Sequence, residues 1–225
     1  SSAQTSTVTM PAGTGTNRLM VVAVACSRQS SGSMSATITY GGRTLTSAVG
    51  DLNSTGIQQH TGIYYLKESD IDLASNSNLS VALSGGTVRI NDVWVAIYDY
   101  VNQTSPIADS KNANSSSNSS SITFSSSLAI NTGNQAILVV SSFRSSSSTT
   151  RNISSFPTNF TSINQQTHTT GDAVRNAVAS ASIPTSNTTN AGTTTFSNNC
   201  WPSQSAITIA ACSAPTVNAG SALVA

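Results

Sequence analysis

Short apolar runs recur along this chain, each closed off by Gly, Ser, Asn or Pro. Runs rich in Val, Ile, Thr and Tyr between such punctuation are the signature of strands. The pattern predicts strands over 5–10, 18–26, 35–40, 62–66, 78–83, 92–101, 121–124, 135–143, 172–183, 193–196 and 206–212. Alternation is strict in several of them, with Ile122 and Phe124 set against Ser121 and Thr123, and Ile207 and Ile209 against Thr208. Runs 18–26 and 135–140 are apolar on both faces, so they belong in the middle of their sheets. The stretch AVRNAVASA at 173–181 has some helical propensity, but Val174 and Val178 alone make too thin a helical stripe, and it reads as a strand. Eleven short strands with polar turns predict an all-β fold: one antiparallel, two-sheet β-sandwich of jelly-roll or Ig-like topology. It occupies residues 1–214, with 215–225 as an extension beyond Pro215.

The polar stretches 112–121 (NANSSSNSSS) and 145–150 cannot bury area and are expected to be exposed loops. Only 8% of the 225 residues are charged and the net charge is +1. That balance excludes electrostatic binding of nucleic acid and polybasic attachment to membranes. Glu68 is the single glutamate, and Lys67 and Lys111 are the two lysines. With so little charge, the surface must be hydrated by hydroxyls, amides or attached sugars. The longest apolar stretch, 19–26, falls far short of the ~20 residues of a membrane-spanning helix. The sequence starts at Ser1 without an initiator Met or a signal-peptide core, so a processed chain, secreted or at the cell surface, is the expectation.

Catalytic chemistry is thin. His60 and His168 lie in polar stretches (GIQQHTG and QQTHTTG) that read as loops, and no G-x-S-x-G nucleophile turn is present, so no catalytic residue and no enzyme is expected. Asp70 and Asp72 would share a face if extended and, with Glu68, could hold Ca²⁺, but no Asp-x-Asp-x-Asp-Gly loop follows and a charged turn is the simpler reading. Phosphate loops, Cys-x-x-Cys pairs and His clusters are lacking, so neither cofactor nor metal is expected. Lys67 and Lys111 fall in polar segments, which argues against buried isopeptide links. Cys26, Cys200 and Cys212 allow at most one internal disulfide. Cys26 ends one apolar strand and Cys200 precedes another, so Cys26–Cys200 is the expected bridge, with buried thiols as the alternative. Asn-x-Ser/Thr sequons occur at Asn53, Asn78, Asn102, Asn114, Asn118, Asn152, Asn159 and Asn187, of which Asn114 and Asn118 lie in a stretch with nothing to bury.

Three motifs follow one another at hairpin spacings: Tyr40-Gly41-Gly42-Arg43-Thr44-Leu45, then Tyr64-Tyr65-Leu66, then DYVNQTSPI at 99–107. This succession resembles a family of β-sandwich modules found in secreted and cell-surface proteins of bacteria and archaea. The likeness covers residues 5–212. Tyr64 stands where the family usually has Trp, and Lys67-Glu68-Ser69-Asp70 replaces its Pro/Gly turn. The resemblance implies the fold and an extracellular setting, and it brings no common catalytic site. Read physically, the motifs are structural: Gly41-Gly42 suits a tight turn, and Gln103 with Pro106 ends a strand at a corner.

These features favour a structural subunit of an extracellular filament, pilus or surface assembly, a homopolymer joined by strand exchange. Residues 216–225 (TVNAGSALVA) carry no charge and alternate Val217, Ala219, Ser221, Leu223 and Ala225 on one face. Extended, ten residues reach about 33 Å, enough to add a strand to a neighbour's open sheet edge with Val217 and Leu223 as anchors. The alternative donor is 4–10, with Val8 and Met10 as its plugs. Two other readings compete. One is a secreted adhesin or carbohydrate-binding module for surface glycans, with Trp201 in an expected turn at 199–203 as its aromatic. The other is a viral capsid or tail protein.

Overall fold

The computed structural model describes residues 4–28, 32–50, 52, 58–145, 152–168, 172–181, 183–212 and 217–218. The first half of the chain forms β1 (Gln4–Thr9), β2 (Leu19–Arg28), β3 (Ser35–Tyr40), β4 (Arg43–Thr44), β5 (Thr46–Gly50), β6 (Gln59–Lys67), the single-turn helix α1 (Glu68–Ile71), β7 (Asn78–Ser84) and β8 (Val88–Tyr98). The second half forms β9 (Ile107–Asn114), β10 (Ser119–Ile122), β11 (Leu128–Ile130), β12 (Gln135–Ser145), β13 (Ile153–Ser155), β14 (Phe160–His168), β15 (Asp172–Ala181), β16 (Thr188–Asn190), β17 (Thr194–Ile209) and β18 (Val217–Asn218).

These strands make four sheets among the described residues: β1-β7-β3-β4, then β18-β8-β2-β6-β5, then a seven-stranded sheet, then β11-β16. In the seven-stranded sheet β10-β17-β12-β15-β14 form the path, and β9 and β13 also pair with β17. The fold is all-β and antiparallel, as the alternation implied, but it is not one two-sheet sandwich of eleven strands.

The reason lies in β2 and β12. Met20, Val22, Val24 and Cys26 of β2 enter a first core with Ile38, Leu79 and Val81 of the four-stranded sheet. Leu19, Val21, Ala23 and Ala25 enter a second core with Ile137, Val139 and Ile207 of the seven-stranded sheet. Strand β12 repeats the device, since Ala136, Leu138 and Val140 pass from its other face into a third core with Phe124, Leu128 and Phe196. A strand apolar on both faces needs cover on both, and two such strands, central in different sheets, require three apolar interlayers.

Strand β17 departs furthest from expectation. Residues 193–212 were expected to form two strands around a turn at 199–203, but Thr194–Ile209 is one strand of 16 residues. Its first part pairs with β10 and β13 and its later part with β12 and β9. Trp201 therefore lies in a strand opposite Phe143, with ring centroids 5.7 Å apart. Pro202 supplies no N–H at this crossing, and its carbonyl accepts the Ser115 N–H at 2.9 Å.

The family-like motifs do structural work. Gly41 and Gly42 have φ of 52° and 84°, the left-handed pair a two-residue hairpin turn demands. A Cβ on Gly41 would lie 2.4 Å from the Asn76 carbonyl oxygen. At the corner, Gln103 Oε1 accepts the Glu68 N–H at 3.0 Å, the first of α1, while its Nε2 donates to the carbonyls of Arg18 and Val101 at 3.1 Å each.

Candidate assembly site at the edge of β8

Sheet edges are where one chain can add to another. In the five-stranded sheet β8 is second from one end, and its inner side pairs with β2 along its length. On its outer side β18 runs antiparallel, with Val217 opposite Tyr98 and Asn218 opposite Ile97. Among the described residues no strand covers the rest of that edge, from Val88 to Ala96. Beside it stands β1, the edge of the four-stranded sheet. Val8, Leu79, Val81, Val93 and Val95 line a cavity of about 20 Å³ between the two sheets there. The edge thus borders an apolar seam that the two sheets do not fully close.

The described parts of the two expected donor segments are of different extent. Strand β1 pairs with β7 through six consecutive residues, Gln4 to Thr9. Just beyond it Met10 is buried in the first core, its carbonyl accepting the Tyr40 hydroxyl at 3.0 Å, and Val8 packs against the same core. Val217 belongs to the two-residue β18, and Leu223 lies outside the described residues.

Other expected site residues are dispersed. Glu68, Asp70 and Asp72 do not form an extended cation-binding face: they fall in and just after α1, where backbone turns replace alternation. Arg18 takes Glu68 at 3.0 Å and also Asp72, while Arg43 takes Asp70. Burial works against the Arg18 cation, but Glu68 and Asp72 outweigh it and hold its pKa above the ordinary value. Lys67 and Lys111 stand in strands, not loops: Lys67 Nζ donates to the Gln103 carbonyl at 3.2 Å and Lys111 Nζ to Asp109 Oδ1 at 2.7 Å.

The expected Cys26–Cys200 bridge is not formed. Cys26 lies in the first core and Cys200 in the third, with the second core between them, and both are thiols, as is the exposed Cys212. Asn53 lies outside the described residues. Asn78, Asn114, Asn118, Asn152, Asn159 and Asn187 are exposed and Asn102 is half-buried.

Neither histidine is in a loop. His60 is fully buried in β6, opposite Cys26 of β2. His168 ends β14 and reaches across the second interlayer to buried Asp92 of β8. Asn176 Nδ2 donates to Asp92 Oδ2 at 2.7 Å, and Ser141 Oγ donates to Asn176 Oδ1 at 2.7 Å. The Ser141 proton is committed to an amide carbonyl and not to an imidazole, so this chain of polar groups lacks the geometry of an activated nucleophile. Nearby, Thr61 Oγ1 lies 2.8 Å from both Ser203 Oγ and Ser205 Oγ, a second polar tie between the same two sheets. Sequence reading passed over both, because their polarity becomes internal only once a third layer is known.

No family profile, curated protein or solved structure matches this chain. No helix among the described residues is long and apolar enough to cross a membrane, which says nothing of a β-barrel.

Proposed function

We propose that this chain is a structural subunit of an extracellular filament, pilus or surface assembly, in which residues 216–225 of one copy pair with β8 of the next. The observation that carries this reading is the β18–β8 pairing. Among the described residues, two residue pairs tie this segment to its own sheet, through Val217 and Asn218, against the nine that join β2 to β6. A pairing of that kind can form as well between copies, since an identical edge on a second copy offers the same hydrogen bonds, the logic of exchange between identical protomers. A donor that keeps the register of Val217 with Tyr98 sets residue 225 opposite Ile90, so the segment is matched to β8 in length. The low charge and the resemblance to secreted sandwich modules support the extracellular setting. Removing residues 216–225 is expected to leave a folded monomer that forms no filaments in negative-stain microscopy. Filaments of normal length from the truncated protein would overturn the reading and shift the donor role to 4–10.

A second reading, binding of surface glycans, has support at a different place from Trp201. A cleft of about 410 Å³ opens between 155–159 and 189–195, and none of the described residues that line it is charged. Phe156 and Pro157 supply apolar faces, and Asn159, Thr189 and Thr193 supply amide and hydroxyl groups, a lining suited to a neutral sugar. Glycan-array binding that disappears in Phe156→Ala would favour it over the assembly role.

A further inference from the structure

The chain holds three Cys, three Met and two His, and Cys26 and Met34 touch in the first core while His60 stands opposite Cys26 on the neighbouring strand. Cys26 Sγ lies 3.7 Å from Met34 Sδ. His60 is the register partner of Cys26 across the β2–β6 ladder. Opposed residues of an antiparallel pair share a face of the sheet, with Cβ atoms about 5 Å apart. Cys26 and His60 are 0% exposed and Met34 is 1% exposed. The three come from separate parts of the chain: β2, the segment entering β3, and β6. Met34 is held in place by its own N–H, which donates to the Leu52 carbonyl at 2.5 Å.

We propose that Cys26, Met34 and His60 form a buried binding site for one Cu(I) ion. Three arguments select that ion. Thiolate and thioether sulfur are soft donors that favour Cu(I), whereas Ca²⁺, Mg²⁺ and Mn²⁺ call for oxygen ligands that this trio lacks. Two sulfurs each ~2.3 Å from one metal, subtending an angle of about 107°, stand about 3.7 Å apart, so binding needs no separation of the pair. Charge decides between monovalent and divalent ions. Binding displaces one proton from the Cys26 thiol, and thiolate plus Cu⁺ is neutral. The same ligands around Zn²⁺ or Cu²⁺ would leave a net positive charge in an apolar core, which is costly. The copper stays Cu(I) throughout, so no electron is transferred.

The test uses the full chain with Cys212→Ser, which removes the exposed thiol, and compares it with that protein carrying Met34→Leu or Cys26→Ala. Met-to-Leu conserves core volume and is tolerated by packed cores. Each protein is titrated anaerobically against the coloured Cu(I)–bicinchoninate complex, with ascorbate present. The parent is expected to withdraw one equivalent of Cu(I) and to gain in thermal unfolding midpoint when Cu(I) is added, because the ion binds the native state. Met34→Leu is expected to bind at least about tenfold more weakly, and Cys26→Ala to withdraw none. Zn²⁺ at the same concentration is expected to leave the midpoint unchanged. The inference is overturned if the parent withdraws no copper, if both variants bind as the parent does, or if Zn²⁺ raises the midpoint as much as Cu(I).

Discussion

His168 Nε2 lies 2.9 Å from Asp92 Oδ2, joining β14 of the seven-stranded sheet to β8 of the five-stranded sheet. The Asp92 side chain is 1% exposed. A carboxylate so placed stabilises the stack only while its partners remain. Asp92→Ala leaves the Asn176 amide and His168 without their acceptor, and is expected to lower the unfolding free energy by about 3 kcal/mol. Asp92→Asn retains an acceptor for Asn176 and should cost about 1 kcal/mol. Urea unfolding of the two variants measures both, and an Asp92→Ala loss below about 0.5 kcal/mol would show the network to be dispensable.

Gln103 is expected to matter more than its place in a turn suggests. Gln103→Ala leaves the Glu68 N–H and the carbonyls of Arg18 and Val101 without their side-chain partner. A loss of about 1 kcal/mol is expected, since these hydrogen bonds are part-buried and the stripped groups bear only part of the desolvation cost. Denaturant melts compare it with Gln103→Glu, which keeps an acceptor for Glu68 and loses the donor.

Asp109 gives the fold an acid-sensitive joint. Burial raises its pKa, but the N–H of Ala129, the Lys111 ammonium and the N–H of Ser110 outweigh burial and hold it below the ordinary 3.8. A depressed folded-state pKa contributes stability that is fully present above the unfolded value and is lost as pH falls through the lower folded value. Asp109→Asn should therefore flatten the loss of stability between about pH 5 and pH 2. Thermal melts across that range check it, and an unchanged slope would contradict it.

Glycosylation, where the producing cell supplies it, is expected first at Asn114, Asn118, Asn152 and Asn159. The other described sequons use their side-chain oxygens: Asn78 accepts from Thr9, Asn102 from the N–H groups of Thr104 and Ser105, and Asn187 from Thr132. Peptide mapping of material from its native source would show added mass at the first four. Modification confined to Asn78, Asn102 and Asn187 would contradict the ranking.

How far the sequence could be read follows the physics of burial. The all-apolar runs of β2 and β12 announced central strands, and both are central. The stretch 173–181 reads as a strand and is one. Strand β14, FTSINQQTH, escaped, because an edge strand keeps polar residues and the irregularity between Ser162 and Asn164 breaks its period. His60 read as a loop residue among Gln58, Gln59 and Thr61, yet Gln59, His60 and Thr61 are all buried where β6 lies between neighbouring layers. For Cys26 and Cys200, alternation tells which face a side chain takes but not how many layers lie beyond it. That number decided against the bridge.

The central claim is exchange of 216–225 onto the β8 edge of a neighbour, and a cross-link tests it most directly. In the register of Val217 with Tyr98, a donor strand sets residue 219 opposite Ala96. Ala96→Cys with Ala219→Cys changes little volume and places two thiols within disulfide range of each other, with Cys212→Ser as the background. After oxidation of assembled material, a non-reducing gel is expected to show a ladder of covalent multimers that collapses to monomer on reduction. A single monomer band before reduction would contradict exchange between subunits.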